Sequence, residues 1–477
     1  MKLDEIAGLT FGGARNNAKI NSSPRFQFAA DTAIIVFPVI FVYINAFSGS
    51  FQFDDYNVIV FNPVVHSWSA WWEDIGQGIR PFLKFTYTMN WASGMGLFGF
   101  HLFNIVIHLL NVVLVYAIIL KFLDNKQQYA LYSKRGIAIL TALFFGLHPI
   151  QTEAVTYISA RSASLMSTFY FASMLSYVYG RIENRRFFLY VLSPFFFVFG
   201  VATKEVAVTL PLALILWELT GRRQPFSVYV IIRRQAVHWL LLIPMIFFII
   251  THSRYAKLLV FSFELRGFYA NLLSQINGVM YLLSRLFLLT DLNIDPDLPV
   301  IVKWSLPVIL EAGLLSLLLF AGIISIFRMP WLSFCILWFF LQVMFINTIV
   351  PRNDIINERH FYIGGLGVFF FIAMVSGMFF NICERYKKTL LIFGLCVSLM
   401  LGYFTIMRNH VYRSEIALWE DTARKSPKKA RVFNNLGYAY YLAGQYDKAK
   451  GSYVKALQIE PGFELARNNL LLLEKAH

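Results

Sequence analysis

Charge is scarce in this sequence: Asp, Glu, Lys and Arg make up only 14% of its 477 residues, whereas hydrophobic residues make up 57%. So little charge excludes an ordinary soluble domain and predicts a polytopic membrane protein. Much of the net charge of +15 lies in short loops between apolar runs, where Lys and Arg set the orientation of the chain. We therefore expect membrane lipids around the protein and no nucleic-acid partner.

Cysteine is scarce as well. The three cysteines, Cys335, Cys383 and Cys396, lie inside apolar runs, and no CxxC spacing occurs. This pattern gives no support to a zinc site, a haem attachment site or a disulfide. The sequence also lacks a phosphate-binding loop, a dinucleotide fingerprint, a nucleophile elbow and an HExxH motif. The familiar short catalytic motifs therefore do not identify its chemistry.

Apolar runs dominate what is present. They lie near 31–48, 98–121, 136–149, 160–180, 187–203, 205–219, 237–252, 304–327, 331–349, 361–383 and 389–407. We predict an all-α bundle of about 11 transmembrane helices over residues 31–410, although several runs are shorter than the ~20 residues that a perpendicular helix needs. Residues 1–30 are polar and basic, and we interpret the first run as an uncleaved signal anchor.

Lys and Arg divide the loops into two sides. The loops of one side carry basic clusters at 121–135, 181–186, 222–234, 328 and 385–388. This predicts a cytoplasmic N-terminus and, with an odd number of spans, a C-terminal region outside. The first outer loop is then 49–97, and 253–303 is an outer interfacial segment. Residues 270–289 carry too many polar side chains for a span, so we expect an interfacial or re-entrant helix there.

The C-terminal residues 411–477 contain a repeat signature. Counting Ala430 as position one, a 34-residue tetratricopeptide pattern at 430–463 is matched by Phe433, Leu436, Gly437, Tyr440, Ala449, Tyr453, Ala456 and Pro461. The small residues let two antiparallel helices approach closely. One repeat buries too little surface alone, so we expect it to dock on its neighbours or on the membrane portion.

Paired charges on the predicted outer side are the candidates for chemistry, because ionisable groups at membrane depth usually mark a working site. Asp54 and Asp55 follow the first run. Adjacent carboxylates repel, which raises one pKa and suits either a general base or a metal site. An equally open alternative is a solvated helix cap beneath an interfacial tryptophan belt.

Further outer residues could bind an anion. They are Arg80, His101, Glu153, Arg161, Lys204, Glu205 and Arg359. His101 belongs to a polar stripe that favours interhelical hydrogen bonds over a metal, and Lys204 with Glu205 is alternatively a buried ion pair. Arg359 could hold a phosphate through its planar donor fork, or extend to the lipid headgroups. Together these residues predict a lipid-phosphate substrate.

At this point the sequence resembles a known family, the transmembrane and tetratricopeptide-repeat-containing protein O-mannosyltransferases, which are GT-C glycosyltransferases. The resemblance covers nearly the whole chain. The residues that carry it are Phe53-Asp54-Asp55, Arg80-Pro81, Phe100-His101-Leu102-Phe103-Asn104, Leu147-His148-Pro149, Thr152-Glu153, Arg161, Lys204-Glu205 and Glu358-Arg359. The chain departs from the family in having roughly one and a half repeats, and its short loops look bacterial.

The resemblance implies a GT-C-like fold and an inverting transfer of a monosaccharide, mannose or similar, from a polyprenyl-phosphate donor to Ser or Thr of an exported protein. It implies that Asp54 is the base, that Asp55 orients acceptor or sugar, and that Arg161, Lys204 and Arg359 bind the donor phosphate. A divalent cation is possible in such enzymes but not favoured here. The implied location is a bacterial inner membrane, with the site and the repeat periplasmic. The alternatives are a glycolipid or cell-wall acceptor, or a non-catalytic scaffold.

Overall fold

The computed structural model describes residues 23–124, 133–221, 227–382 and 387–476. Most of the predicted cytoplasmic segment 1–30 lies outside these residues, as do Cys383 and several loop cations, namely Lys126, Arg222, Arg223 and Arg385. The described residues form helices and no strand, which confirms the all-α prediction.

The helices follow the apolar runs and the repeat. The first group is α1 Pro24–Tyr43, α2 Trp68–Asp74, α3 Pro81–Ala92, α4 Gly96–Asp124, α5 Lys134–Leu147, α6 Thr152–Thr156, α7 Arg161–Ile182, α8 Ser193–Thr203 and α9 Leu210–Thr220. The second group is α10 Val228–Thr251, α11 Ser253–Leu265, α12 Phe268–Arg285, α13 Leu306–Ile324, α14 Pro330–Phe339, α15 Ile346–Ile349, α16 Phe361–Ile382 and α17 Lys387–Val411. The C-terminal group is α18 Glu415–Lys425, α19 Ala430–Leu442, α20 Tyr446–Ile459 and α21 Glu464–Ala476.

Local sequence signals explain where these helices begin. Ser23 caps α1, because its hydroxyl accepts the amide of Phe26 at 3.3 Å, and Pro24 occupies the first turn, where a missing N–H costs nothing. Ser414 caps α18 in the same way through the amide of Ala417. Large apolar side chains stay exposed on α10, α13 and α17, as expected for helices whose outer faces contact lipid.

Seven of the described helical segments are long and apolar enough to cross a membrane. They are Arg25–Ser48, Gly96–Asp124, Val228–Thr251, Leu306–Ile324, Pro330–Ile349, Glu358–Phe380 and Lys388–Val411. The bent pair Lys134–Leu147 and Pro149–Thr156, with 54° between its parts, counts as an eighth if it forms one span. The other three predicted runs are also helical, in α7, α8 and α9, but they are shorter or more polar. A total of eleven spans therefore stays a prediction.

The bundle has two distinct ends. The C-terminal end of α1 meets that of α17, where the Asn409 side chain donates to the carbonyl of Val42 at 3.1 Å. Since a 20-residue α-helix is about 30 Å long, the first turn of α1 lies at the opposite end. Asp31, two turns into α1, pairs with Arg135 at 2.6 Å on the way to that end. The start of α1 and the repeat after α17 thus lie at opposite ends, as an odd number of crossings requires. We call the end with the repeat the repeat end.

The repeat docks on the loops of the membrane portion, as the sequence predicts. Arg431 of α19 bonds to Asp295 with Nε 2.9 Å from Oδ2, and it also contacts Asp354. Trp419 of α18 packs edge-on against Phe53, with ring centroids 5.2 Å apart. These contacts join the repeat to the loops around residues 295 and 354, and helix α18 before it to the loop around residue 53.

The predicted interfacial helix is α12. It is not among the helices apolar enough to span a membrane, and its buried side carries the polar Asn271, Ser274 and Gln275 beside apolar residues such as Leu273 and Ile276. Asn271 on that face donates to the backbone carbonyls of Asn347 and Thr348 at 2.9 and 2.8 Å. Asn271, one of the polar residues that argued against a span, therefore holds the short helix α15 in place.

Candidate functional site

A small cavity of about 20 Å³ lies at the repeat end, and both Lys204 and Arg359 line it. Its other lining residues are of two kinds: the polar Ser167, Gln342, Asn347 and His360, and the apolar Ala163, Met166, Val206 and Ile363. Two of the three predicted phosphate ligands are therefore brought together from distant parts of the chain. Cations beside apolar walls suit an anionic headgroup with a hydrocarbon tail.

Lys204 reaches this cavity because the polypeptide leaves the helical conformation there. Its backbone is extended, with φ −158° and ψ 134°, between α8 and a 3₁₀ turn that starts at Glu205. Within the described residues no carboxylate lies within ion-pair distance of its ammonium group. Burial lowers the pKa of Lys204 well below its ordinary value, and the guanidinium groups of Arg352 and Arg359 lower it further. An anion in the cavity would relieve this repulsion.

Glu153 holds Arg359 in place and does not line the cavity. Its fully buried carboxylate accepts the backbone amide of Arg359 at 3.0 Å, and its second oxygen lies 3.6 Å from the Arg359 Nε. Glu358, the neighbour of Arg359 in the chain, pairs with Arg408 at 3.4 Å instead. Glu153 thus orients a cation, whereas the sequence suggested a direct role in substrate binding.

Arg80 and Glu205 form a two-pronged ion pair. Nε and Nη2 of Arg80 each lie 2.9 Å from a Glu205 oxygen. Arg80 has φ +54°, a left-handed backbone that is rare outside glycine, and its amide donates to the hydroxyl of Tyr255 at 3.2 Å. Because Glu205 is paired with Arg80, its carboxylate is not available to Lys204.

Asp54 lies across Tyr157 from Arg359. The amide of Asp54 donates to the Tyr157 hydroxyl at 2.9 Å, and the guanidinium carbon of Arg359 lies 6.0 Å from the centre of the Tyr157 ring. Burial raises the pKa of Asp54 above its ordinary value, and the nearby Arg359 charge partly opposes that rise. A half-buried carboxylate with a raised pKa is suited to accept a proton.

Asp55 has a different environment. It is 1% exposed, and its two oxygens accept the amides of Gln52 at 3.0 Å and Ser159 at 2.7 Å. Burial raises the pKa of Asp55 to about 7, and repulsion from Asp54 is only a minor contribution. The sequence had attributed such a rise to the paired charges, so its physical cause was mistaken. Asp55 ties the loop to the segment before α7 and thereby presents Asp54.

Arg161 and His101 lie inside the protein packing. Arg161 is fully buried, donates to Asn104 Oδ1 at 2.5 Å and to the Phe100 carbonyl at 3.0 Å, and packs on the Phe103 ring at 4.5 Å. His101 Nε2 lies 3.1 Å from the carbonyl of Gly49. Neither residue is part of the cavity lining. The structure therefore does not bring Arg161 to Lys204 and Arg359, contrary to the expectation of one shared cluster.

Sequence reasoning missed three residues near this site. Tyr157 connects Asp54 with Arg359, Arg352 adds a further cation, and His360 lines the cavity. A signal was available for two of them, because Arg352 and His360 flank Arg359 in the same outer loop. No sequence signal pointed to Tyr157, since one tyrosine does not stand out in a chain that is rich in aromatic residues.

No group of three or more His, Cys, Asp or Glu side chains comes together as a metal site in the part of the chain that the structure describes. The expectation that the reaction needs no divalent cation stays a prediction.

The fold and the site define a polytopic helical membrane protein with a cation-lined cavity, a half-buried carboxylate beside it, and a docked helical repeat. Comparison with known proteins refines this class. Residues 430–463 match the tetratricopeptide repeat family, with the boundaries that the sequence predicted.

Over most of its length the chain is similar to proteins named protein O-mannosyl-transferases. It is 24% identical to protein O-mannosyl-transferase F38B6.6 of Caenorhabditis elegans over 92% of the chain and 64% of the relative. It is 23% identical to human protein O-mannosyl-transferase TMTC3 over 90% of the chain and 51% of the relative. A shorter stretch, 28% of the chain, is 33% identical to 16% of human protein O-mannosyl-transferase TMTC1. The chain thus spans less than two thirds of these relatives, and the predicted resemblance is confirmed.

Proposed function

We propose that this protein is a membrane glycosyltransferase that moves a monosaccharide, mannose or a similar sugar, from a polyprenyl-phosphate donor to Ser or Thr of an exported protein. The observation that carries the proposal is the buried cavity shared by Lys204 and Arg359, with the half-buried Asp54 beside it. The proposed location is a bacterial inner membrane, with the repeat end outside the cytoplasm.

Each part of the donor has a chemical counterpart among the residues that line the cavity. The lining side chains would have to move apart to admit it, because about 20 Å³ holds no more than a water or two. The phosphate would accept hydrogen bonds from Lys204 and Arg359, and the prenyl chain would contact the apolar lining residues, among them Met166 and Ile363. Burying a charge is costly unless it is paired. Cations held in apolar surroundings therefore favour an anion that enters with its own hydrocarbon.

The chemistry is a single displacement at the sugar. Asp54 takes the proton of the acceptor hydroxyl as its oxygen attacks the anomeric carbon. The bond from that carbon to the phosphate oxygen breaks, and its electron pair leaves with the phosphate. Attack opposite to the leaving group inverts the configuration. Phosphate departs readily once its growing charge is balanced, so electrostatic positioning by Lys204 and Arg359 supplies most of the help.

Two observations favour a protein as the acceptor. The relatives are named protein O-mannosyl-transferases, and tetratricopeptide repeats present surfaces suited to extended or helical peptides. Helix α18, directly before the repeat, also lies next to the loop that carries Asp54, because Trp419 packs on Phe53. An acceptor chain on the repeat would therefore be close to the proposed base.

Asp54→Asn tests the proposal, because an amide cannot take the proton. We expect transfer from a polyprenyl-phosphate sugar to an acceptor peptide to fall by about a hundredfold or more, with normal expression and thermal stability. Asp297→Asn is the matched control, since Asp297 is an exposed carboxylate at the same end. Full activity of Asp54→Asn would remove Asp54 from this role. A wild-type protein that modifies only lipid would indicate a glycolipid acceptor, and one without any transfer would indicate a scaffold.

A further inference from the structure

His360 lines the cavity beside Arg359, and the two nitrogens of its imidazole ring have different surroundings. One nitrogen, Nε2, lies 3.1 Å from Nη1 of Arg352. An arginine side chain only donates hydrogen bonds. Nε2 must therefore accept this one, so it carries no proton.

This contact determines the tautomer of the ring. A neutral imidazole bears a single proton, and with Nε2 acting as acceptor that proton resides on Nδ1. Nδ1 is buried, and within the described residues it has no hydrogen-bond partner. A buried N–H without an acceptor costs free energy and calls for an explanation. An acceptor atom supplied by a ligand in the cavity would provide one.

The surrounding charges point to an anionic acceptor. Lys204 and Arg359 line the same cavity, and Arg352 adds a guanidinium group next to them. Within the described residues neither Lys204 nor Arg352 has a carboxylate in ion-pair distance. The nearest pairs are already satisfied, since Arg80 holds Glu205 and Glu153 holds Arg359. The cluster thus has more positive than negative charge around a ring with an unused donor.

We propose that His360 is a direct ligand of the donor phosphate through Nδ1–H, and that Arg352 is a positioning residue that sets the tautomer of the ring. This inference rests on the proposed function. The donor phosphodiester carries one negative charge, and the released polyprenyl phosphate carries up to two. When the electron pair of the breaking bond moves to the phosphate oxygen, the Nδ1–H bond and the unpaired cations therefore gain strength. Contacts that strengthen in this way accelerate the reaction.

Substitutions that replace one ring nitrogen at a time test the assignment. The amide of asparagine places an N–H near the position of Nδ1, and that of glutamine places it near Nε2. We expect the affinity of His360→Asn for farnesyl phosphate to stay within about threefold of that of the wild type. The affinity of His360→Gln and of His360→Ala should fall tenfold or more. Arg352→Gln should also bind farnesyl phosphate about tenfold more weakly. Without the guanidinium donor of Arg352, the ring of His360 is no longer held with its proton on Nδ1. Binding is measured on the full-length protein in detergent, with Arg413→Gln, an exposed arginine at the same end, as the control.

The outcomes separate this inference from the proposed function. Wild-type binding of His360→Gln together with weak binding of His360→Asn would overturn the assignment of Nδ1, and so would wild-type binding by all variants. The expected binding pattern without any sugar transfer would leave the anion site standing and reject the transferase. Competition with inorganic phosphate distinguishes a lipid ligand from a free anion. We expect a large excess to be needed, because inorganic phosphate gains nothing from the apolar walls.

Discussion

At the scale of single residues, burial and hydrogen bonding separate two neighbouring aspartates. Both oxygens of Asp55 accept backbone amides, so this carboxylate is already used by the fold. Asp54 is only half buried, and the Tyr157 hydroxyl lies beside it. Because the Asp54 carboxylate is not committed to the backbone, it is the one available to a substrate. The sequence positions of Asp54 and Asp55, which are adjacent, do not reveal this difference between the two carboxylates.

The pH dependence of transfer should report the raised pKa of Asp54. A base acts only when it is ionised, so kcat/KM should fall as the pH drops through that pKa. Burial raises this pKa, whereas a hydrogen bond from the Tyr157 hydroxyl lowers it. Tyr157→Phe removes the hydrogen bond and makes the anion less stable. We therefore expect the acidic limb of the kcat/KM profile to move to higher pH.

The measurement is the midpoint of that limb for the full-length protein in detergent. Tyr269→Phe is a suitable control, since Tyr269 is exposed on α12. An unchanged limb, or one displaced to lower pH, would contradict the role of Tyr157 beside the base.

At the scale of secondary-structure elements, interruptions of helices deliver the charged side chains. Lys204 lies where α8 ends and the backbone becomes extended. Arg359 and His360 belong to a short 3₁₀ turn, Glu358–His360, directly before α16. Helix ends carry free backbone donors and acceptors and tolerate polar residues. An uninterrupted apolar helix would have placed hydrocarbon at these positions.

Close packing of α19 against α20 depends on Gly437. A Cβ atom there would lie 2.6 Å from two ring atoms of the buried Tyr453. Although alanine is the better helix former by about 1 kcal/mol, we expect Gly437→Ala to destabilise the repeat by about 1–3 kcal/mol through overpacking. Gly451 of α20 is the matched control, because nothing lies within 4 Å of its added Cβ. Gly451→Ala should stabilise by about 0.5–1 kcal/mol.

Both variants can be compared by the rate of protease cleavage within residues 430–463 of the full-length protein. Faster cleavage of Gly437→Ala and slower cleavage of Gly451→Ala are expected. Equal rates for the two would mean that the close approach of α19 and α20 does not limit the stability of the repeat.

At the scale of the whole molecule, the repeat and the membrane portion form one assembly at the repeat end. Arg431 contacts both Asp295 and Asp354, and Lys429 also pairs with Asp295 at 2.6 Å. Asp354 belongs to the loop that carries Arg352. The repeat thus supports a loop of the candidate site.

Arg431→Gln should weaken this support. It leaves Asp354 and the buried Asp295 without their guanidinium partner, and removal of one member of a buried pair is costly. We expect faster proteolysis of the loop around residue 354 and several-fold slower transfer. Arg424→Gln serves as control, because Arg424 is largely exposed and Asp421 keeps its ion pairs with Arg408 and Lys425 when Arg424 is removed. Unchanged proteolysis and transfer in Arg431→Gln would show that the repeat is only tethered.

Local patterns in the sequence predicted much of this architecture. Apolar runs mark helices because each segment must satisfy its own backbone hydrogen bonds in lipid. The repeat at 430–463 was predicted with the boundaries of the family match, since its small and aromatic positions recur at fixed spacing. The sequence also indicated that ionisable residues gather at the repeat end. All of these are properties of short stretches of chain.

The tertiary structure alone decided which of those charges share a site. Lys204 and Arg359 meet at one cavity, whereas Arg161 is enclosed by Asn104, Phe100 and Phe103. Glu153 holds Arg359 in place, and Tyr157 lies between Asp54 and Arg359. The physical reason is that a side chain's partner and its exposure depend on how distant helices pack. Spacing along one helix carries no information about which face of another helix it meets.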